Sequence, residues 1–265
     1  METTLPSGAG RVPTADAGGR AMPLIGFGTH PMRGDQATEA VLTAFSVGYR
    51  LVDTATRYRN EAAVGAALAA TDLPRSDLFV TTKMPPDQVG RERLTLERSL
   101  AALGCDYVDL WLIHWPPARH ASPAVWQQFL AIRDKGLVRE VGVSNYSTAQ
   151  LDELIAATGE APAVNQIKWG PSLFDGPRLA EHQKREIVLE GYSPFKTTNL
   201  SNPTLVKIAD AHGVTADQVV LRWHLEHETV VIPKSVTPAR IESNFTIFGF
   251  TLTADEIASI DALGS

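Results

Sequence analysis

Asp53, Tyr58, Lys83 and His114 end or follow three short apolar runs of this chain. The runs are YRLVDTA (49–55), DLFVTTK (77–83) and DYVDLWLIH (106–114), and each reads as a buried strand. If the strands are parallel neighbours, a carboxylate, a phenol, an ammonium and an imidazole meet at one edge of a sheet. Those groups together make a proton-transfer centre. Asp53 and Lys83 resemble a buried ion pair, each offsetting the cost of burying the other. A cation beside Tyr58 favours the phenolate, so the expectation is a phenol titrating below its usual value of about 10. A drop of about two units needs roughly 2.7 kcal/mol, which an ammonium ~4 Å away supplies at an effective dielectric of about 20. Tyr58 would then act as a general acid near neutral pH, with His114 donating a hydrogen bond to the developing oxyanion.

The elements that must position these groups follow from the hydrophobic pattern. Strands are predicted at 24–28, 50–54, 79–83, 108–113, 140–143, 164–167, 187–191 and 230–233. The runs are continuous rather than alternating, as in parallel strands covered on both faces. Most recur roughly 25–30 residues apart, the length of a βαβ unit. Leu96, Leu100 and Leu103 mark one helix face, and Leu205, Ile208, Ala209 and His212 another. Capping boxes stand at Ser147–Gln150, Thr215–Gln218 and Thr253–Glu256. Two helices, 203–212 and 215–228, share the last long gap, so one is an addition to the repeat. Eight such units in 265 residues predict an α/β fold of the (β/α)8 TIM-barrel type, as a single domain over 1–265. Extra helices are expected near the C-terminus. A Gly-Gly turn within 10–22 predicts an N-terminal β-hairpin closing the far end of the barrel, and residues 1–9 read as a frayed end.

Composition narrows the function. A net charge of -6 argues against nucleic-acid and membrane-surface partners. No run of apolar residues is long enough to span a bilayer, and the first ten residues lack a signal-peptide pattern, so a cytoplasmic location is expected. Cys105 is the one cysteine of the chain and reads as a packed, inert thiol. The seven histidines form neither H-x-H nor H-E-x-x-H, which leaves a metal-dependent barrel hydrolase a weak alternative. His212, His224 and His227 read as helix residues facing solvent or core. Gly26-Phe-Gly28 begins like a dinucleotide fingerprint but lacks the third glycine and the acidic residue of a following strand.

Several segments resemble the aldo-keto reductase family. YRLVDTATRYRNEAAVG is similar to the motif around that family's catalytic Asp and Tyr, and FVTTK and LWLIHWP to those around its Lys and His. VGVSNYS, AVNQIKW and VVIPKSVTPARIESNF resemble its cofactor-binding segments, and the likeness runs from about 20 to 263. The compact loops resemble the bacterial branch that includes the 2,5-diketo-gluconate reductases. The resemblance implies reduction of an aldehyde or ketone by NADPH, with Tyr58 as acid, Lys83 and Asp53 assisting and His114 orienting. It also implies that Ser144, Asn145 and Gln166 hold the nicotinamide carboxamide, that Tyr192 stacks on the ring, and that Asn244 meets the adenine. Lys234, Ser235, Thr237 and Arg240 match its anion site. On physical grounds too, two cations and a hydroxyl at a helix start after the last barrel strand suit a 2′-phosphate, favouring NADPH over NADH.

Departures from the family pattern concern the substrate. His30 stands where many relatives have Trp in the pocket wall, and Ser243 replaces a carboxylate used near the adenine. The short loop after His114 and the short C-terminal segment imply an open, promiscuous site. Trp115 is expected as a pocket wall, with a core tryptophan as the alternative; Phe174 fits either role. The family implies a monomer acting on a small carbonyl compound. An NADP(H)-binding sensor without turnover is the competing reading, and the complete tetrad argues against it.

Overall fold

The computed structural model describes residues 12–264. The stretch expected to fray lies outside them. The chain opens with a hairpin, β1 (Thr14–Ala17) paired antiparallel with β2 (Arg20–Pro23). Its turn needs two residues at positive φ, which Gly18 (64°) and Gly19 (86°) supply without a Cβ penalty. Then come β3 (Phe27–Gly28), α1 (Gly34–Val47), β4 (Leu51–Asp53), α2 (Glu61–Ala70), β5 (Phe79–Met84) and α3 (Glu92–Leu103). They are followed by β6 (Val108–Ile113), α4 (Pro123–Arg133), β7 (Val138–Ser144), α5 (Thr148–Thr158), β8 (Val164–Lys168) and α6 (Gly176–Lys184). The remainder is β9 (Val188–Tyr192), α7 (Pro203–His212), α8 (Ala216–Glu226), β10 (Val230–Ile232), α9 (Pro238–Phe245) and α10 (Ala254–Asp261).

Strands β3 to β10 lie side by side in sequence order, every pair parallel. A bridge between Ile25 and Val231 joins the last strand to the first, and Val231 N–H donates to Leu24 O (2.9 Å) while Gly26 N–H donates to Val231 O (2.9 Å). This is the expected (β/α)8 barrel. At the closing seam there is no room for a side chain: a Cβ on Gly26 would lie 2.2 Å from Leu51 Cδ2. One helix of the pair α7 and α8 between β9 and β10, and α10 at the end, are the added helices.

The three capping boxes form as the pattern required, at Ser147, Thr215 and Thr253. Leu96, Leu100 and Leu103 of α3 are buried, as are Leu205, Ile208 and Ala209 of α7. The outer layer packs through aromatic side chains: Trp111 of β6 stacks on Phe129 of α4 with centroids 3.9 Å apart. His212 bonds Glu256 (3.0 Å) and His227 bonds Asp261 (2.8 Å), linking α7 and α8 to α10. His224 is fully buried and bonded through Nδ1 to Val220 O (2.7 Å), so all three are structural helix histidines. Cys105 is half-buried, and burial pushes its thiol up, so it is kept protonated.

Strand boundaries differ from the pattern by up to three residues, most at β3, which spans Phe27–Gly28 rather than 24–28, and two of the others bear on the site or the sheet edge. β7 runs from Val138 rather than 140, and β10 ends at Ile232, so Lys234 lies two residues beyond its strand. In both places a charged or imino residue interrupts the apolar run without ending, or while ending, the hydrogen-bonded ladder. Among the described residues no helix is long and apolar enough to cross a membrane.

Candidate active site

Parallel strands in sequence order bring their C-terminal ends to one face of the barrel, and the tetrad assembles there. Asp53 is the last residue of β4, Lys83 is the penultimate residue of β5, and His114 follows β6 directly. Tyr58 closes a single 3-10 turn, Thr56–Tyr58, after β4. That turn is anchored by Thr56 Oγ1, which donates to the carbonyl of Lys83 (2.9 Å).

Lys83 has no exposed surface. Its ammonium donates to both oxygens of Asp53 (2.6 Å each), to the Thr54 carbonyl (2.8 Å) and, more distantly, to the Tyr58 hydroxyl (3.5 Å). Burial works against the charge on Lys83, but Asp53 and then Tyr58 outweigh it, and the net direction is upward. Asp53 accepts a further bond from Gln166 Nε2 (2.9 Å), across the barrel from β8. The ion pair therefore has the extra hydrogen bonds that a buried pair needs to persist.

Tyr58 corrects an expectation. Its phenol is pushed above its ordinary value, not below it. Burial is the largest cause; Lys83 pulls down, but Asp53 and Glu190 push up. The ammonium expected to act on the phenol alone is already balanced by two contacts to Asp53, so Tyr58 meets an ion pair rather than a bare cation.

His114 packs edge-on against Tyr58 (centroids 5.6 Å). Burial, then Lys83, hold its pKa down to about 3, so the imidazole is neutral across the physiological range. Its Nδ1 is buried without a partner, which leaves Nε2 as the ring nitrogen open to the cleft.

A cleft of about 370 Å³ lies over these groups, lined by Asp53, Tyr58, His114, Ser144, Asn145, Gln166 and Tyr192, together with His30, Trp115 and Lys234. Ser144 Oγ donates to Gln166 O (2.8 Å), Asn145 Nδ2 donates to Ser144 Oγ (2.9 Å), and Tyr192 hydroxyl donates to Asn145 Oδ1 (2.9 Å). The four polar residues form one chain of bonds along the cleft wall. Trp115 is 48% exposed at the mouth, the pocket-wall position rather than the core. His30 also lines the cleft, with its ring 4.8 Å from that of Tyr58. Phe174 is elsewhere, packed between Trp169, Trp223 and His227.

Ile232 and Lys234 also line the cleft, and Ser235, Thr237 and Arg240, expected to bind an anion, follow Lys234 in the chain. Thr237 is the N-cap of α9, with Pro238 in its first turn, as predicted. Arg240 is held by its neighbours: Nη2 donates to Thr237 Oγ1 (2.6 Å) and Nε to Ser235 Oγ (3.3 Å). Thr237 makes no side-chain cap to the helix, because its hydroxyl serves Arg240 instead. A cation fixed over a helix N-terminus fits a phosphate group. Asn244 is buried further along α9 and does not line the cleft. Among the described residues no group of three or more His, Cys, Asp or Glu side chains is placed to hold a metal ion.

Three site residues escaped the sequence reading. Lys196, in the loop after β9, lines the cleft and, after burial, is the main cause holding the His30 imidazole below its usual value. Asn60 donates to the carbonyls of Thr29 (3.1 Å) and Met32 (3.0 Å) and accepts from Thr54 Oγ1 (2.6 Å), tying the His30 loop to the end of β4. Glu190 of β9 lies buried within reach of the tetrad's charges. Asn60 was visible inside the motif RYRNE; nothing in the local pattern marked the other two.

Comparison with known proteins agrees with this geometry. The model of the Aldo/keto reductase family matches residues 24–265. An aldo-keto reductase of Mycolicibacterium vanbaalenii is 44% identical over 246 residues, 91% of this chain and 88% of that protein. A methylglyoxal reductase DkgA of Yersinia pestis is 40% identical over 249 residues, 92% of this chain and 90% of that protein, in line with the bacterial branch that the compact loops resemble. The crystal structure of a Bombyx mori aldo-keto reductase in complex with NADP superposes with a TM-score of 0.87 at 31% identity, covering 96% of this chain and 94% of that one. The chain therefore belongs to the aldo-keto reductase family of NADP-dependent oxidoreductases.

Proposed function

We propose that this protein reduces aldehydes and ketones to alcohols with NADPH, Tyr58 acting as the general acid. The observation that carries the reading is the Tyr58 hydroxyl at 3.5 Å from a fully buried ammonium that is itself bonded to Asp53. NADPH, when bound, supplies the hydride that arrives at the carbonyl carbon. As that carbon is reduced, its oxygen becomes an alkoxide-like base stronger than a phenolate. A phenol held protonated by burial can then give up its proton, and Lys83 stabilises the phenolate left behind. Asp53 keeps Lys83 charged and fixed in place. His114, neutral across the working range, donates from Nε2 to the substrate oxygen without contributing a charge of its own.

Ser144, Asn145 and Gln166 present the amide and hydroxyl groups that suit a carboxamide, and Tyr192 offers a ring face beside them. Lys234, Ser235, Thr237 and Arg240 would hold a 2′-phosphate, with Lys196 adding positive charge along the cleft; Asn244 is the adenine-side residue. His30 and Trp115 form the substrate lips, unlike each other in size and polarity, which suits small carbonyl compounds of varied shape.

The test is consumption of NADPH, with NADH in parallel, against aldehydes, α-dicarbonyls, keto acids and keto sugars. NADPH-preferring turnover is the expected result. Tight NADPH binding with no turnover on any carbonyl would contradict the reading.

A further inference from the structure

β9 carries a carboxyl group with no place in the chemistry described so far. Glu190 is fully buried, and neither carboxyl oxygen has a hydrogen-bond partner. Its register neighbours are Gln166 on β8 and Val230 on β10. Gln166 bonds Asp53 (2.9 Å), and its amide lies near Glu190 without completing a hydrogen bond to it. Asp53 is the charge that acts on Glu190 most strongly, and Lys83 opposes it. Glu190 acts in turn on Lys83 and on Tyr58. An apolar side chain of similar size would fill the same place without orphaning two oxygens, a cost that a buried carboxyl incurs in either charge state and far more when ionised.

We propose that Glu190 is a positioning residue for carbonyl reduction: held protonated within the barrel, it leaves the Lys83–Asp53 pair balanced, and its ionisation weakens Tyr58 as an acid. The inference rests on Tyr58 being the proton donor. The groups that face Glu190 are Asp53 from β4, Lys83 from β5, Tyr58 from the turn after β4 and Gln166 from β8, while β10 presents Val230. His224 of α8 lies against Gly191, on the other side of the strand, and burial holds it neutral with a pKa of about 4. Burial, then Asp53, raise the Glu190 carboxyl to about 8. Below that pH the site holds one ammonium and one carboxylate. Above it the carboxyl proton passes to solvent, two carboxylates share one ammonium, and the Tyr58 phenolate becomes harder to form.

The experiment compares pH profiles of kcat for reduction in the wild type and Glu190→Gln, with infrared spectra of the cofactor-free proteins over the same range. The wild-type kcat should fall roughly three- to tenfold between about pH 7 and pH 9, and the variant less than about twofold, with KM unmoved in both. The wild type should show a protonated-carboxyl band at pH 6 that fades near pH 8, and the variant should lack it. Matching profiles in the two proteins, or no such band at pH 6, would overturn the proposal. So would failure of Glu190→Gln to fold, since a neutral side chain of that shape is what the native barrel is argued to hold already. No turnover by the wild type at any pH would overturn the functional reading and this inference with it; altered band behaviour with turnover intact would overturn this inference alone.

Discussion

The two ends of the barrel handle charge in opposite ways. At the N-terminal end of the strands, ionic side chains are matched and partly wet: Arg75 pairs with Asp109 at 2.7 Å, and Arg185 with Asp152 at 2.7 Å. Arg75 and Arg139 also cover the two sides of the Tyr107 region, 4.3 and 4.0 Å from its ring centroid. At the C-terminal end, Lys83 is sealed from solvent against Asp53, with Glu190 buried and unpartnered nearby and the His114 Nδ1 orphaned. Most polar groups at the first end reach water when a partner is lost, although Arg75 Nε is buried there without a partner. Those at the second end cannot, and burial is the largest cause that raises the Glu190 carboxyl and lowers the His114 imidazole. Exposed pairs contribute little stability, while a buried group out of balance is free to act on a ligand.

The sharpest way to break the contrast is Lys83→Met. It strands a carboxylate in the barrel, and the expected cost is about 3–5 kcal/mol of stability, read by denaturant unfolding, together with loss of turnover. Arg240→Ala should raise the NADPH KM about tenfold or more and leave the NADH value nearly unchanged if, as proposed, the guanidinium holds the 2′-phosphate that NADH lacks. Equal movement of both would remove the argument for phosphate recognition. Glu190→Gln tests linkage with a definite sign. The folded carboxyl titrates near 8, above an unfolded glutamate, so native Glu190 holds its proton where the unfolded chain has lost it. Wild-type stability should therefore fall between about pH 5 and pH 8, by up to about 1.4 kcal/mol per pH unit from this group, and the variant should be spared that fall. The smallest effect belongs to the other end of the barrel: Arg185→Ala should cost less than about 1 kcal/mol and leave the kinetics alone.

Much of the barrel was legible in the primary structure. Continuous apolar runs marked all eight strands, and three capping boxes marked the starts of α5, α8 and α10. Asp53, Lys83 and His114 were legible because each interrupts an apolar run at its C-terminal end, where a barrel gathers its strands. The direction in which the Tyr58 phenol titrates was not. A sequence can place a cation near a phenol, but it does not say that the cation's charge is already balanced, nor how dry the site is. Glu190 was hidden for another reason. In IVLEGY it looks like any polar residue of an alternating strand, and its inward direction becomes definite through the pairing of Gln166 with Glu190. Lys196 lies in a loop whose path over the cleft no local periodicity specifies.

The most direct test of the central claim is a comparison of wild type with Tyr58→Phe, measuring NADPH affinity by fluorescence and turnover on one good carbonyl substrate. Removing the hydroxyl while keeping the ring should leave NADPH binding within about twofold and lower kcat by about 10²–10⁴-fold. Turnover in the variant comparable to the wild type, with NADPH bound equally well, would contradict Tyr58 as the proton donor and the role given to the Lys83–Asp53 pair behind it.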